Sequence, residues 1–191
     1  MTTIANMPAI LGGDQAITAD QAKANHWPII SNEDEQAVLD VLRSGELSIN
    51  PVVGELENDY KKLTGRVFAL THNNGTSAIL AGLHALGMTP GDEVIVPSIS
   101  WATTFYPLQQ YGLKLKFLDV ELETLNMDVS QLERALTPKT KMVVGVSILG
   151  NPCALDVIRD FCDEKGLIFF EDNCESMGAE LNGKLCGTFG D

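Results

Sequence analysis

The stretch MVVGVSILGNPCALDVIRDFCDEKGLIFFED, residues 142–172, decides the fold. It begins with a short β-branched run over 142–147, turns at Gly150-Asn151-Pro152, continues as an amphipathic segment over 155–165 and ends in a second apolar run over 167–172. Two strand-length runs separated by a helix-length one describe a strand, a crossover helix and a second strand, and such a crossover joins parallel neighbours. Working outward, the unit repeats. Strands are predicted over 67–71, 93–97 and 115–120, and helices over 76–86, about 102–111 and 129–136. The alternation predicts an α/β fold, a mostly parallel sheet with helices on both faces. Ligands bind such sheets where the carboxyl ends of the strands meet the following loops, so functional residues are sought there.

Upstream the pattern changes. Residues 1–30 carry no clear period and read as an irregular arm. Ser31 stands where a helix N-cap belongs, Asp34 occupies the third helical position, Val38, Leu39, Val41 and Leu42 form an apolar stripe, and Gly45 ends the helix. After the loop SGELSINP, residues 44–51, a second amphipathic helix carries Val53, Leu56, Tyr60 and Leu63 and stops near Gly65. No internal repeat, low-complexity tract or Pro/Ser-rich linker interrupts the rest, so 31–191 reads as one domain preceded by the arm 1–30.

With 45% hydrophobic and 20% charged residues, the chain has the composition of a folded globule rather than of a disordered or membrane protein. Thirteen Lys and Arg against 26 Asp and Glu give a net charge of −13, whose field repels nucleic acid and anionic lipid, so neither is an expected partner. A small phosphorylated ligand is still compatible, because N–H groups at a helix N-terminus outweigh distant carboxylates. Cys153, Cys162, Cys174 and Cys186 form no C-x-x-C pair and have no His at metal spacing, which points to reduced thiols and no metal. The N-terminal MTTIANMPAILGGDQ lacks the basic start and apolar core of a signal peptide, and no run approaches the roughly 18 apolar residues of a membrane span. A cytoplasmic location is expected.

Four loops carry candidate chemistry. His72-Asn73-Asn74-Gly75-Thr76-Ser77-Ala78 leads into an apolar helix; capping is its ordinary reading, and an anion site built from open N–H groups and hydroxyls is the sharper one. It is neither a P-loop nor G-x-G-x-x-G. Pro97-Ser98-Ile99-Ser100-Trp101-Ala102-Thr103-Thr104 puts one of two tryptophans at the sheet's carboxyl edge, where the ring either packs in the core or walls a flat aromatic ligand. Ser147-Ile148-Leu149-Gly150-Asn151-Pro152 is a tight turn that either faces a ligand or merely turns. The run 167–172 ends in Glu171-Asp172, and an acid at the end of a buried strand needs a donor, either a structural Lys or Arg or a protonated ring nitrogen. Asn182-Gly183 between Leu181 and Leu185 signals a hairpin with Lys184 on its surface.

Taken in order, NNGTSA, PSISW, LGNP, EDNCESMGA and GTFGD resemble the DegT/DnrJ/EryC1/StrS family of sugar aminotransferases, from about Trp27 to Asp191. The resemblance implies the large domain of the type I, aspartate aminotransferase-like fold, in truncated form, with pyridoxal 5′-phosphate (PLP) as cofactor. It implies that Gly75 and Thr76 hold the phosphate, Trp101 stacks on the pyridine ring, Asp172 pairs with the ring nitrogen and Glu175 lies near the phenolic oxygen, where many members have Gln. A carboxylate beside the ring nitrogen favours the pyridinium, which makes the ring an electron sink. The family further implies a nucleotide-linked keto-sugar substrate, an amino donor and a homodimer, to whose second subunit the arm and the 44–51 loop would contribute.

Two features depart from that pattern. Family members carry a Schiff-base lysine shortly after the segment matching GTFGD, and none of the lysines here occupies the matching position, so the catalytic residue is expected after Asp191 and no transamination from this chain alone. The small C-terminal domain is likewise expected beyond it. In the 3-dehydratase branch, which acts on nucleotide-linked 4-keto-6-deoxy sugars, His replaces that lysine, and Ser147 stands where many aminotransferases have His. The expected function is keto-sugar amine transfer, with 3-dehydration or an inactive remnant as alternatives; a PLP-free nucleotide-binding domain is the remaining one, and it lacks a glycine fingerprint.

Overall fold

The computed structural model describes residues 7–17, 28–48 and 50–191, so parts of the expected arm and residue 49 of the 44–51 loop lie outside the described residues. The chain divides into two compact units, 1–50 and 51–191. The first holds helix α1 (Asn32–Ser44). Its start is a capping box: the Ser31 hydroxyl accepts the Asp34 N–H and the Asp34 carboxylate accepts the Ser31 N–H, while Gly45 closes the helix at φ 74°. No residue of α1 is buried, and Val38, Leu39 and Leu42 are open on its surface.

The second unit runs α2 (Pro51–Thr64), α3 (Gly75–Ala85), β1 (Glu93–Pro97), α4 (Ala102–Gln110), β2 (Lys114–Leu118), α5 (Leu132–Ala135), β3 (Thr140–Val146), α6 (Leu155–Lys165), β4 (Ile168–Asp172), β5 (Glu180–Leu181) and β6 (Lys184–Leu185). Strands β1 to β4 form one parallel sheet in the order β2-β1-β3-β4. The central strands β1 and β3 are buried nearly throughout, as a sheet covered on both faces requires, whereas the edge strand β2 carries Lys114 and Lys116. Alternate residues feed two cores: Ile95, Val143 and Phe169 pack with Ile158 and Cys162 of α6, and Val94, Val96 and Val144 pack with Leu83 of α3 and Leu108 of α4. Among the described residues, no helix is long and apolar enough to cross a membrane.

The expected strand over 67–71 does not join the sheet. A cleft of about 650 Å³ lies between Phe68 and the open side of β4. The Asp191 N–H donates to Phe169 O at 2.8 Å, and the Asp191 carboxylate accepts the Phe169 N–H at 2.8 Å, so part of that edge is already paired. The Thr71 N–H is taken by the Glu57 carboxylate instead of a ladder. A strand needs a neighbour, and 67–71 has none among the described residues. The hairpin at Asn182-Gly183 is present, with φ 52° and 76° at the two turn positions, the pair of left-handed residues a type I′ turn demands. Lys184 is exposed there, with its ammonium 4.1 Å from the Phe189 ring centroid.

Candidate functional site

From β1 the chain crosses through α4 to β2 on one side, while β3 lies on the other side of β1, so the loops after β1 and β3 diverge between them. Such a switch point opens a crevice at the carboxyl ends of a parallel sheet. Here Ser100 and Trp101 from the loop after β1 and Thr103 and Thr104 from the first turn of α4 meet Val146 at the end of β3 and Asp172, Cys174 and Glu175 at the end of β4. They line a pocket of about 170 Å³.

Asp172 is the last residue of β4 and shares the face of Phe170, toward α3 and α4. Its Oδ2 accepts the Thr104 hydroxyl at 2.7 Å and its Oδ1 accepts the Cys174 N–H at 3.2 Å. These protein donors are neutral, and the alternative of a structural Lys or Arg is not met: none pairs with Asp172 among the described residues. Trp101 occupies the N-cap position of α4 and is 70% exposed, so the core does not hold its ring.

Glu175 lies across the pocket, and its Oε2 accepts the Leu149 N–H at 2.5 Å. Leu149 sits at φ 54°, a left-handed conformation unfavourable for a branched side chain, so the 148–150 turn needs external support. Asn126 provides it from below: its amide donates to Asn151 O and Pro152 O and its carbonyl accepts the Ile148 N–H. Ser147 is buried, its hydroxyl accepting the Cys153 N–H, and it serves this turn rather than the pocket. The turn was legible as a motif; Asn126, distant in sequence, was not.

Gly75 and Thr76 do not line this pocket. They open α3, where Asn74 is the N-cap and its side chain accepts the Ser77 N–H at 2.9 Å. Helix geometry gives the N–H groups of Gly75 and Thr76 no intrahelical acceptor. A Cβ on Gly75 would meet nothing within 4 Å, so the space beside this helix start is open. α3 is seated on β4 through Gly82, where a Cβ would come within 2.9 Å of the Phe170 ring, two residues before Asp172. Helix α3 and the pocket's Asp172 are thus both tied to β4.

Larger clefts, of about 650 Å³ along the outer edge of β4 and about 430 Å³ between α2 and residues 68–72, do not include the loops after β1 and β3. The smaller pocket is the better candidate because its carboxylates, hydroxyls and flat ring converge at the switch point. An exposed indole, an oriented carboxylate at the floor and open helix N–H groups form the donor set of a planar, cationic-ring, phosphate-bearing ligand, which PLP is.

Comparison with known proteins follows that chemistry. A GDP-4-keto-6-deoxy-D-mannose 3-dehydratase of Escherichia coli is 42% identical over 175 residues, which cover 86% of this chain and 45% of the relative. A GDP-perosamine synthase of Vibrio cholerae is 35% identical, over 86% and 45% of the two chains. The structure of the Escherichia coli 3-dehydratase with bound hydrated PLP superposes with a TM-score of 0.79 at 39% identity, covering 85% of this chain and 43% of that one. An aminotransferase from Psychrobacter cryohalolentis superposes with a TM-score of 0.82 at 29% identity, over 87% and 42%. The sheet is thus that of the type I PLP fold, and the chain spans under half the length of these relatives. Residues 28–191 match the family model, and the chain belongs to the DegT/DnrJ/EryC1/StrS aminotransferase family.

Proposed function

We propose that this chain is the cofactor-binding half of a PLP-dependent enzyme that transfers an amine to a nucleotide-linked keto-sugar. The observation that carries the reading is the switch-point pocket, where Trp101, Asp172 and Glu175 converge. When bound, PLP supplies an electron sink for a substrate carbanion. Asp172 would hold the proton of the ring nitrogen, Trp101 would cover one ring face and keep water from it, and Glu175 would stand by the phenolic oxygen. The N–H groups of Gly75 and Thr76, with the Thr76 hydroxyl, take the phosphate.

Residues 31–191 are then a partial large domain and 1–30 an arm. Amine transfer is proposed for the complete, homodimeric, cytoplasmic protein. The open apolar stripe of α2, with Val53, Leu56 and Leu63, supports a protein contact of that kind, and the net charge of −13 speaks against nucleic acid or anionic membrane as partner.

A second reading, 3-dehydration of a nucleotide-linked 4-keto-6-deoxy sugar, is favoured by the 42% and 41% identity to two such enzymes. One experiment separates them. The complete protein is incubated with PLP, an amino donor and a nucleotide-linked 4-keto-6-deoxy sugar, and a parallel sample is reduced with borohydride. Amine transfer yields an amino sugar and a covalent PLP adduct, whereas dehydration yields a 3-deoxy product without the adduct. No product and no PLP absorbance would overturn both.

A further inference from the structure

The hydroxyl that sets Asp172 comes from α4, the helix that follows β1. Thr104, in the first turn of α4, is 2% exposed, and its hydroxyl oxygen lies 2.9 Å from that of Ser100, just ahead of the helix. Thr104 has one proton and gives it to Asp172 Oδ2 at 2.7 Å, so the shared proton between the hydroxyls must come from Ser100. The chain is therefore directional: Ser100 donates to Thr104, and Thr104 donates to Asp172. Each bond polarises the next in a partly buried setting. Together with the Cys174 N–H at 3.2 Å, it occupies one lone pair on each oxygen of this pocket-lining carboxylate and leaves the others for a further donor.

We propose that Thr104, backed by Ser100, is a positioning residue that fixes the orientation of Asp172 and thereby the tightness and protonation of a ring nitrogen bound against it. The proposal rests on the PLP reading above. Asp172 alone could rotate about its side-chain bonds at the end of β4; with Oδ2 tied to α4, the carboxylate is held between the sheet and the helix that carries Trp101. The ring wall and the ring-nitrogen partner are thus mounted on one hydrogen-bonded frame.

The test uses the complete protein with ring-¹⁵N-labelled PLP, reading the dissociation constant of PLP and the ¹⁵N chemical shift of the bound ring nitrogen. Thr104→Val keeps the shape and removes the donor; it is expected to weaken PLP retention by roughly tenfold and to shift the ¹⁵N signal, the loss of one hydrogen bond to a charged group. Thr104→Ser restores the donor and is expected to recover both. Ser100→Ala leaves the buried Thr104 methyl in place and is expected to move the signal in the same direction by less. It also decides the matter if Thr104→Val fails to fold. Unchanged affinity and signal in folded Thr104→Val, equal losses in Thr104→Val and Thr104→Ser, or an unmoved signal in Ser100→Ala where Thr104→Val is unfolded would each overturn the proposal. Failure of the unsubstituted protein to bind PLP would overturn the reading beneath it.

Discussion

Phe169 and Phe68 are the same side chain in two settings. Phe169, in β4, is fully buried against α6, whereas Phe68, three residues after α2 closes at Gly65, is 83% exposed. Around each, the apolar pattern is equally regular. In the sheet, both covering layers are supplied by this chain, and β1 and β3 close over. Along α2 and residues 66–70, Val53, Leu56, Leu63, Phe68 and Leu70 stay open. The difference teaches that caps and periodicity make an element, while burial depends on a partner, and that the two can be separated within one chain.

The comparison breaks most visibly at those two residues. Phe169→Ala is expected to destabilise this chain by about 3–5 kcal/mol, while Phe68→Ala should stay within about 0.5 kcal/mol, as read from urea midpoints. Equal costs would mean that Phe68 is covered after all.

A smaller effect is expected at Glu171. Its carboxylate accepts the N–H groups of Gly187, Phe189 and Gly190, while the Arg66 guanidinium donates to the carbonyls of Thr188 and Gly190. The 187–190 loop is thus held from both sides by charge-assisted bonds. Glu171→Gln should cost about 2 kcal/mol and speed hydrogen exchange at Phe189 and Gly190 ahead of the β3 amides.

Thiol chemistry sharpens the contrast at the pocket. Burial pushes the Cys153 thiol up to about 11 and the Cys162 thiol up to about 12, so at pH 8 roughly one in a thousand Cys153 side chains is the reactive thiolate. Cys174 is exposed and lines the pocket. Native-state alkylation should mark Cys174 first, and PLP should slow that reaction by about tenfold if it fills the site. Unslowed labelling in the presence of bound PLP would place the cofactor elsewhere.

The smallest effect belongs to the open region. Thr71 donates its N–H and hydroxyl to Glu57, which holds that carboxyl below its usual value of 4.5. A folded value below the unfolded one gives stabilisation that is fully present above about 4.5 and fades as pH falls through the folded value. Glu57→Gln should therefore lower the melting temperature slightly at neutral pH and not at all in acid. A difference that persisted at low pH would assign it to packing.

Much of this was legible in advance. The parallel order, the capping box at Ser31, the type I′ hairpin at Asn182-Gly183 and the position of Asp172 at a strand end all follow from local pattern and turn chemistry. The strand over 67–71 was misread because its β-branched and aromatic residues describe a strand without supplying its neighbour. Thr104 went unassigned although it lay in the segment under inspection; a hydroxyl in the first turn of a helix, four residues after another hydroxyl, was the available signal. Asn126 left none, since its partners at 148–152 are brought to it only by the folded turn.

The central claim is that Asp172, at the switch point, is the partner of a PLP ring nitrogen. The direct measurement is PLP titration of the complete protein and of Asp172→Ala, followed by absorbance near the visible edge. The account predicts a bound-cofactor band in the unsubstituted protein, with affinity at least tenfold lower and an altered band in the variant. Identical affinity and an identical spectrum in Asp172→Ala would contradict it.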